Sequence, residues 1–364
     1  MCIVLASTAH PGYALVVIDN RDEFILRPTS RPHWWRAEHQ EILSARDLQR
    51  EEKGTWLGIT KNGNFAVLTN YRESDTHDAE HPVQGNRSRG GMVTAWLTAP
   101  KHEGVEHFVH RLLEGNGVKG VGGFSLLTGK LRRRKTDNGE NQIEPLAIIS
   151  NRCGTADDVP WVATDRDQTS GLSNTSFMDP DEWPKVALGK QKLQEAIHEA
   201  SSANLPEDDF IQKLFGVLDT DTLPAPGDRS FDEFIFELRK SIFIPKIGTA
   251  DPTTTADLPK ADTIASADPD EAAKETAVAD AMERLDEAER PAPEQPAPMS
   301  GIYGTQRQTV MLVGWDGKVT FVERALYDER GESIPRGQAD LKFSFQIEGW
   351  DGEQYAHPPP ASHL

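Results

Sequence analysis

The second residue of the chain is a cysteine, in Met1-Cys2-Ile3-Val4-Leu5. Cysteine is small enough for the initiator methionine to be cut away ahead of it. Cleavage leaves one residue carrying both a thiol and a free α-amine. An α-amine titrates at about 7.7–8.0 and a free thiol at about 8.5, so both can be tuned toward neutral pH. Such a residue holds nucleophile and base together. An arginine follows in Asn20-Arg21-Asp22-Glu23, and a nearby guanidinium favours the thiolate. Acyl transfer also needs donors aimed at the developing oxyanion. Asn70 and Asn174 offer amides for that task, or simply cap turns. Each feature has its plain alternative: Cys2 as apolar filler in a tail, and Arg21 with Asp22 as a structural ion pair.

The elements around these residues predict that the N-terminus starts inside a sheet. Ile3 to Ala6 is a short apolar run, His10-Pro11-Gly12 is turn chemistry, and Tyr13 to Asp19 reads as a buried strand. Asn20 to Glu23 reads as a charged turn at its end. Gly54 to Thr60 and Asn64 to Asn70 flank Asn62-Gly63 as a hairpin. Helices are predicted from near Ser88, over Val105 to Leu113, over Trp183 to Glu199 and over Asp208 to Leu218. Strands are predicted over Gly123 to Thr128, Leu146 to Ser150 and Trp161 to Ala163, with Lys130 to Asn141 as a polar loop. Ser241 to Pro245 reads as a strand start. A second hairpin follows over Thr309 to Val313 and Lys318 to Glu323, with a last strand over Leu341 to Ile347.

Composition bounds the function. The chain has 364 residues, 37% hydrophobic content and a formal charge of −19, which argues against general nucleic-acid binding. Residues 251–300 hold 13 acidic and 4 basic side chains, 7 prolines and no aromatic residue. That is the composition of a disordered segment, with at most a short helix around Glu271 to Glu289. It reads as an insertion in one domain made of 1–250 and 301–350, with 351–364 as a flexible tail. Two cysteines, Cys2 and Cys153, suit a reducing compartment. No run reaches transmembrane length, and no signal peptide is evident. The expectation is a cytoplasmic protein that requires no cofactor and binds no metal.

The chain resembles the Asn-Arg-Asp-Glu family, which includes transport and Golgi organisation protein 2. Beyond Met1-Cys2 and Asn20-Arg21-Asp22-Glu23, the matching pieces are Gly54-Thr55-Trp56-Leu57-Gly58, Leu68-Thr69-Asn70-Tyr71-Arg72, Ser88-Arg89-Gly90, Ser150-Asn151-Arg152, Gly171-Leu172-Ser173-Asn174, Trp183-Pro184-Lys185, Tyr303-Gly304-Thr305 and Gln308-Thr309-Val310. The family in turn resembles N-terminal-nucleophile hydrolases that open amide bonds. The resemblance implies an α+β fold, a four-layer αββα sandwich with the nucleophile at the start of a central strand. It implies Cys2 as nucleophile and base, Arg21 supporting the thiolate, and Asp22 holding the amine, with Glu23 as substitute. Asn70 and Asn174 would face the oxyanion. Arg307 would be a second positive group, although Gln306 stands where the arginine itself is expected.

Two functions follow from the resemblance. The first is a role in Golgi organisation, protein secretion or the handling of haem or acyl lipids, with peripheral Golgi or mitochondrial association. The second is an active amidohydrolase acting through Cys2 on an acyl amide. Other residues carry weaker chemistry. His102, His107 and His110 offer a helical pair for metal, or a solvated face. His10 and His33 offer haem ligation, or surface groups. Arg132-Arg133-Arg134-Lys135 offers contact with anionic membrane, or a solvated loop.

Overall fold

The computed structural model describes residues 1–37, 40–71, 88–114, 117–118, 121–224, 234, 236–248 and 301–352. Its N-terminal strands are β1 (Ile3–Ser7), β2 (Tyr13–Phe24), β3 (His33–Ala37), β4 (Gln40–Ser44), β5 (Leu57–Thr60) and β6 (Asn64–Asn70). Two helices follow, α1 (Gly90–Leu97) and α2 (Val105–Glu114). Then come β7 (Phe124–Lys130), β8 (Arg133–Lys135), β9 (Asn141–Ile143), β10 (Leu146–Ser150), β11 (Trp161–Val162) and β12 (Thr169–Leu172). Helices α3 (Pro184–Ala203) and α4 (Glu207–Leu218) precede β13 (Tyr303–Gly314), β14 (Lys318–Ala325) and β15 (Asp340–Gln346). The fold is α+β, and every strand pairing in it is antiparallel.

Two large sheets carry the chain. One has six strands in the order β12-β1-β2-β13-β14-β15, the other seven in the order β11-β10-β7-β6-β5-β4-β3. Strand β13 lies between β2 and β14, so the first and last described segments share one sheet. Val4, Val17, Met311 and Phe321 of the first sheet share a core with Ile59, Val67 and Leu127 of the second. The alternate residues Ile3, Ile18, Val310 and Val322 pack with Leu193, Ile197, Phe210 and Leu214 of α3 and α4. Ala66, Leu68 and Leu126 pack with Trp96 of α1 and Phe108 of α2. A sheet covered on both faces needs apolar residues at consecutive positions, which explains the unbroken apolar run of β2. Strand β15 alternates Leu341, Phe343 and Phe345 with Lys342, Ser344 and Gln346, as suits an edge.

Both hairpin turns are three residues long and close on a glycine in the left-handed region, Gly63 at φ 75° and Gly317 at φ 81°. Three sequence expectations change, and one hairpin appears that no expectation covered. Asn20 to Glu23 is not a turn but the continuation of β2, because β13 pairs along its whole length. The β3–β4 hairpin arises in a Trp- and Arg-rich stretch without clear alternation. The Lys130 to Asn141 loop contains the first strand of a small β8–β9 hairpin. Ser241 to Pro245 forms no strand; it is tied to β13 by two bonds between Ile244 and Thr305, each 2.9 Å. The acidic 251–300 segment, its short helix and the tail from 353 lie outside the described residues. No helix among the described residues is long and apolar enough to cross a membrane.

Helix α3 crosses the start of the first sheet at close range. A Cβ on Gly189 would stand 2.8 Å from Leu5 Cδ1, and one on Gly171 of β12 would stand 2.7 Å from Val186 Cγ1. Leu5 is wholly buried and cannot swing aside. Gly189→Val should therefore lower stability by about 1–3 kcal/mol, the usual cost of overpacking. A fall in the urea midpoint at unchanged m-value would record it, and an unchanged midpoint would show that α3 can ride higher on β1.

Candidate functional site

Strand β1 begins at Ile3, which pairs with Asn20, so Cys2 stands opposite Arg21 at the strand's end. Both Met1 and Cys2 are buried. The amine of Met1 lies 3.3 Å from Asp22 Oδ2 and also donates to the Tyr303 hydroxyl. Thr305 Oγ1 donates to the other Asp22 oxygen at 2.7 Å. The Lys185 ammonium donates to the Met1 carbonyl and sits 3.9 Å from Asp22 Oδ2. The Cys2 thiol donates to the Asp22 carbonyl at 3.6 Å, where the Tyr303 hydroxyl also donates at 3.2 Å. The resemblance implies a Cys2 amine on Asp22; here the amine on Asp22 is that of Met1.

Alternation along β2 divides the Asn-Arg-Asp-Glu run between two faces. Asn20 and Asp22 face the helices: Asn20 Nδ2 donates to the carbonyls of Leu218 and Ile242 at 2.9 Å each, and Asp22 meets Lys185. Asp19 and Arg21 face the second sheet, and the Arg21 guanidinium lies 4.7 Å from the Trp56 ring centre. Glu23 accepts the Phe24 N–H and stands 3.8 Å from Arg27. The β2–β13 register shifts between Thr305 and Arg307, which makes Gln306 the bulged residue. Both β13 residues then reach Arg21: Gln306 Oε1 accepts from its Nη2 at 3.0 Å, and Arg307 pairs directly opposite it. Arg307 donates to the carbonyls of Gln306 and Tyr327 and lies 3.9 Å from Glu323, which Arg31 also holds at 2.7 Å.

Asn70 and Asn174 are joined to Cys2 through their neighbours. Ser173 donates to the Cys2 carbonyl at 2.7 Å, and Thr69 donates to the Ser173 carbonyl at 2.7 Å. These two bonds stitch the end of β12 to β1 on one side and to β6 on the other. Asn174 is buried, and its Oδ1 has no hydrogen-bond partner among the described residues. Asn70 is half-buried at the end of β6.

Charge is handled sparingly here. Burial pushes the Cys2 thiol up to about 11; the amine pulls it back, while Asp22 and Asp19 push it further up. The thiol is therefore neutral near pH 7, and with Met1 in place Arg21 does not make it a thiolate. Burial brings Arg307 down to about 10, with Glu323 opposing and Arg21 and Arg31 adding to the fall. Burial also depresses the Met1 amine and Lys185, against the pull of Asp22 on each.

The family described as Transport and Golgi organisation 2 matches residues 1–328. The chain belongs to that family. A Transport and Golgi organization protein 2 homolog of Homo sapiens is 31% identical over 64% of this chain and 77% of its own length. The Bos taurus homolog is 26% identical over 90% and 93%. An uncharacterized Saccharomyces cerevisiae protein is 25% identical over 95% of this chain and its own full length. Among solved structures, a Caenorhabditis elegans ortholog of N-acylethanolamine-hydrolyzing acid amidase overlays with a TM-score of 0.33 and 14% identity, covering 66% of this chain and 98% of its own.

Within this Transport and Golgi organisation 2 member, sequence reasoning gave no role to Lys185, Tyr303, Thr305, Gln306, Asp19 or Glu323. Lys185 had a visible signal, since it falls on the stripe of α3 that Val186, Gly189, Leu193 and Ile197 bury. Four of the five histidines named from sequence are engaged locally: His107 with Glu103, His110 with Glu114, His10 with the Gly12 N–H and His33 with the Arg31 carbonyl. Arg134 bonds the Ile143 and Thr164 carbonyls.

Asp19 supplies a test of the site's electrostatics. Burial pushes its carboxyl up to about 8; Arg21 opposes, while Asp22 and Glu323 add. Between its ordinary value of about 3.9 and that level, the unfolded chain loses the proton and the folded chain keeps it. Its contribution to stability is thus fully present below pH 3.9 and is lost as pH rises through about 8. Asp19→Asn should raise the melting temperature at pH 8 by at least about 2–4 °C, with a smaller or reversed difference at pH 4. Equal differences at both pH values would show that Asp19 ionises normally.

Proposed function

We propose that this chain serves Golgi organisation, protein secretion or the handling of haem or acyl lipids, and that its working part is an acyl-transfer site centred on Cys2. The first clause leans on the name its human and bovine relatives carry, transport and Golgi organization. The second rests on one observation above all: the N-terminal α-amine is held by Asp22 beside the Cys2 thiol. Hydrolysis of the Met1–Cys2 peptide bond would release methionine and turn the amide nitrogen of Cys2 into a free α-amine, with Asp22 as its candidate holder. The amine then takes the thiol proton as sulfur attacks the acyl carbon of an amide. The amides of Asn70 and Asn174 are the candidate donors to the oxyanion, with Arg21 and Arg307 as the positive groups behind the thiol. Collapse breaks the carbon–nitrogen bond, the amine proton passes to the leaving nitrogen, and water releases the acid and the thiol from the thioester.

The three cores support a four-layer αββα arrangement of N-terminal-nucleophile type, with each sheet packed between the other sheet and a helical pair. On this reading the acidic segment is an insertion in one domain. The location that fits is the cytoplasm, with peripheral attachment to Golgi or mitochondrial membrane. A second reading, a ligand-binding protein for haem or an acyl lipid, draws on the buried Met1 and the neutral thiol, which leave Cys2 without its own amine.

The test begins with the intact mass of the purified chain and continues with an acyl-amide probe. Chains lacking Met1 should gain one acyl group on Cys2, and Cys2→Ala should gain none. Asn174→Ala should slow acylation by about 10²–10³-fold, the usual loss of one oxyanion donor. A chain that keeps Met1 and never acylates would favour the binding reading. Unchanged acylation in the Asn174 variant would reduce Cys2 to a merely reactive thiol.

A further inference from the structure

Gln306 stands where the resemblance places an arginine, and the acyl-transfer scheme gives it no task. It is the bulged residue of β13, and its side chain is buried. Its Nε2 donates to the Ile25 carbonyl at 3.0 Å and to the Arg27 carbonyl at 3.4 Å. Backbone carbonyls only accept, so the amide nitrogen must face them and Oε1 must face away. Arg21 lies on that other side, and its Nη2 donates to Oε1 at 3.0 Å. Further contacts of Arg21 are neutral too: the Thr29 hydroxyl at 3.3 Å and the Trp56 ring. Among the described residues this buried guanidinium makes no ion pair. A charge held away from water ordinarily needs an opposite one.

We propose that Gln306 is a positioning residue for the acyl transfer: it holds Arg21 through a neutral acceptor, so that the guanidinium charge stays available to the Cys2 sulfur. The proposal rests on the acyl-transfer reading, in which Arg21 backs the thiol. Ile3 packs on the helical side and Val4 on the inner side, so Cys2 faces inward, as Arg21 opposite it does. Burial depresses Arg21, and four acidic groups oppose the fall: Glu323, Asp19, Glu23 and the Cys2 thiol. Three of them are engaged elsewhere or neutral. Arg31 holds Glu323 at 2.7 Å, Arg27 stands 3.8 Å from Glu23, and burial pushes the Asp19 carboxyl up to about 8. Arg307, directly opposite Arg21, is itself a cation. The sulfur is the acid left to answer the guanidinium. An arginine at 306 would add a third cation beside Arg21 and Arg307, and a glutamate would cancel the one that faces Cys2.

The test is a titration of the Cys2 thiol in the full chain, read by NMR at a labelled Cβ. Gln306→Glu neutralises Arg21, and Gln306→Met keeps the shape but releases the guanidinium. Both should raise the thiol midpoint by at least about one unit, a tenfold smaller thiolate fraction at a given pH. A side chain that merely filled the bulge would leave the midpoint where it is. In the wild type, the Arg21 Nε resonance should shift at the same pH as the Cys2 Cβ, as coupled groups do. A resonance that ignores that midpoint would overturn the proposal, and it decides the matter alone if the variants fail to fold. An unmoved midpoint in either folded variant would overturn it too. A midpoint that rises in a chain that never takes an acyl group from the amide probe would uphold Gln306 and reject the acyl-transfer reading. Acylation in a chain whose midpoint stays unmoved would reject Gln306 and leave that reading standing.

Discussion

One carboxylate organises the start of this protein. Asp22 meets the α-amine, Lys185 of α3 and Thr305 of β13, while its backbone carbonyl receives the Cys2 thiol and Tyr303. A buried ion pair seldom adds much stability by itself, because desolvation offsets the attraction. Losing one partner is another matter, since a buried charge is then left uncompensated at a cost of about 3–5 kcal/mol. Asp22 thus matters less as a source of stability than as a point where strand, helix and N-terminus must meet in one arrangement.

The period of a β-strand does the rest of the sorting. Asp19 and Arg21 go to the inner face of the sheet, Asn20 and Asp22 to the helical face. The helical face fixes the chain: Asn20 pins the end of α4 and the irregular segment at Ile242. The inner face gathers a charged strip of Asp19, Arg21, Arg307 and Glu323. The Gln306 bulge adds a neutral partner to that strip, so two arginines can lie opposite one another without a direct clash of charge.

The two sheets are not merely stacked at this end. The bonds from Thr69 to Ser173 and from Ser173 to Cys2 run from the second sheet across to the first. They put the Cys2 thiol at a seam between layers, where the side chains of both sheets and of the β12–α3 connection converge. Rigid strands hold most of these groups, which favours a preorganised site over one assembled by loops.

How much could be read without coordinates follows from how local each signal is. The hairpins at Asn62-Gly63 and around Gly317, the apolar strands and the helical stripe of α2 were legible, because turn chemistry and periodicity act over a few residues. Cys2, Arg21, Asp22, Asn70, Asn174 and Arg307 could be named as a set from their types and a family resemblance. Their mutual geometry could not. Whether Asn20 to Glu23 turns or continues depends on β13, which arrives some 280 residues later in the chain. The bulge that brings Gln306 to Arg21 exists only in the pairing of two distant strands. The meeting of Lys185 with Asp22 needed α3 to be laid over the N-terminus. Sequence alone determined which groups are present and which short segments repeat with helix or strand period. Tertiary structure decided which charges share a dry space, because burial and the partners it enforces are properties of the packed layers and of no single segment.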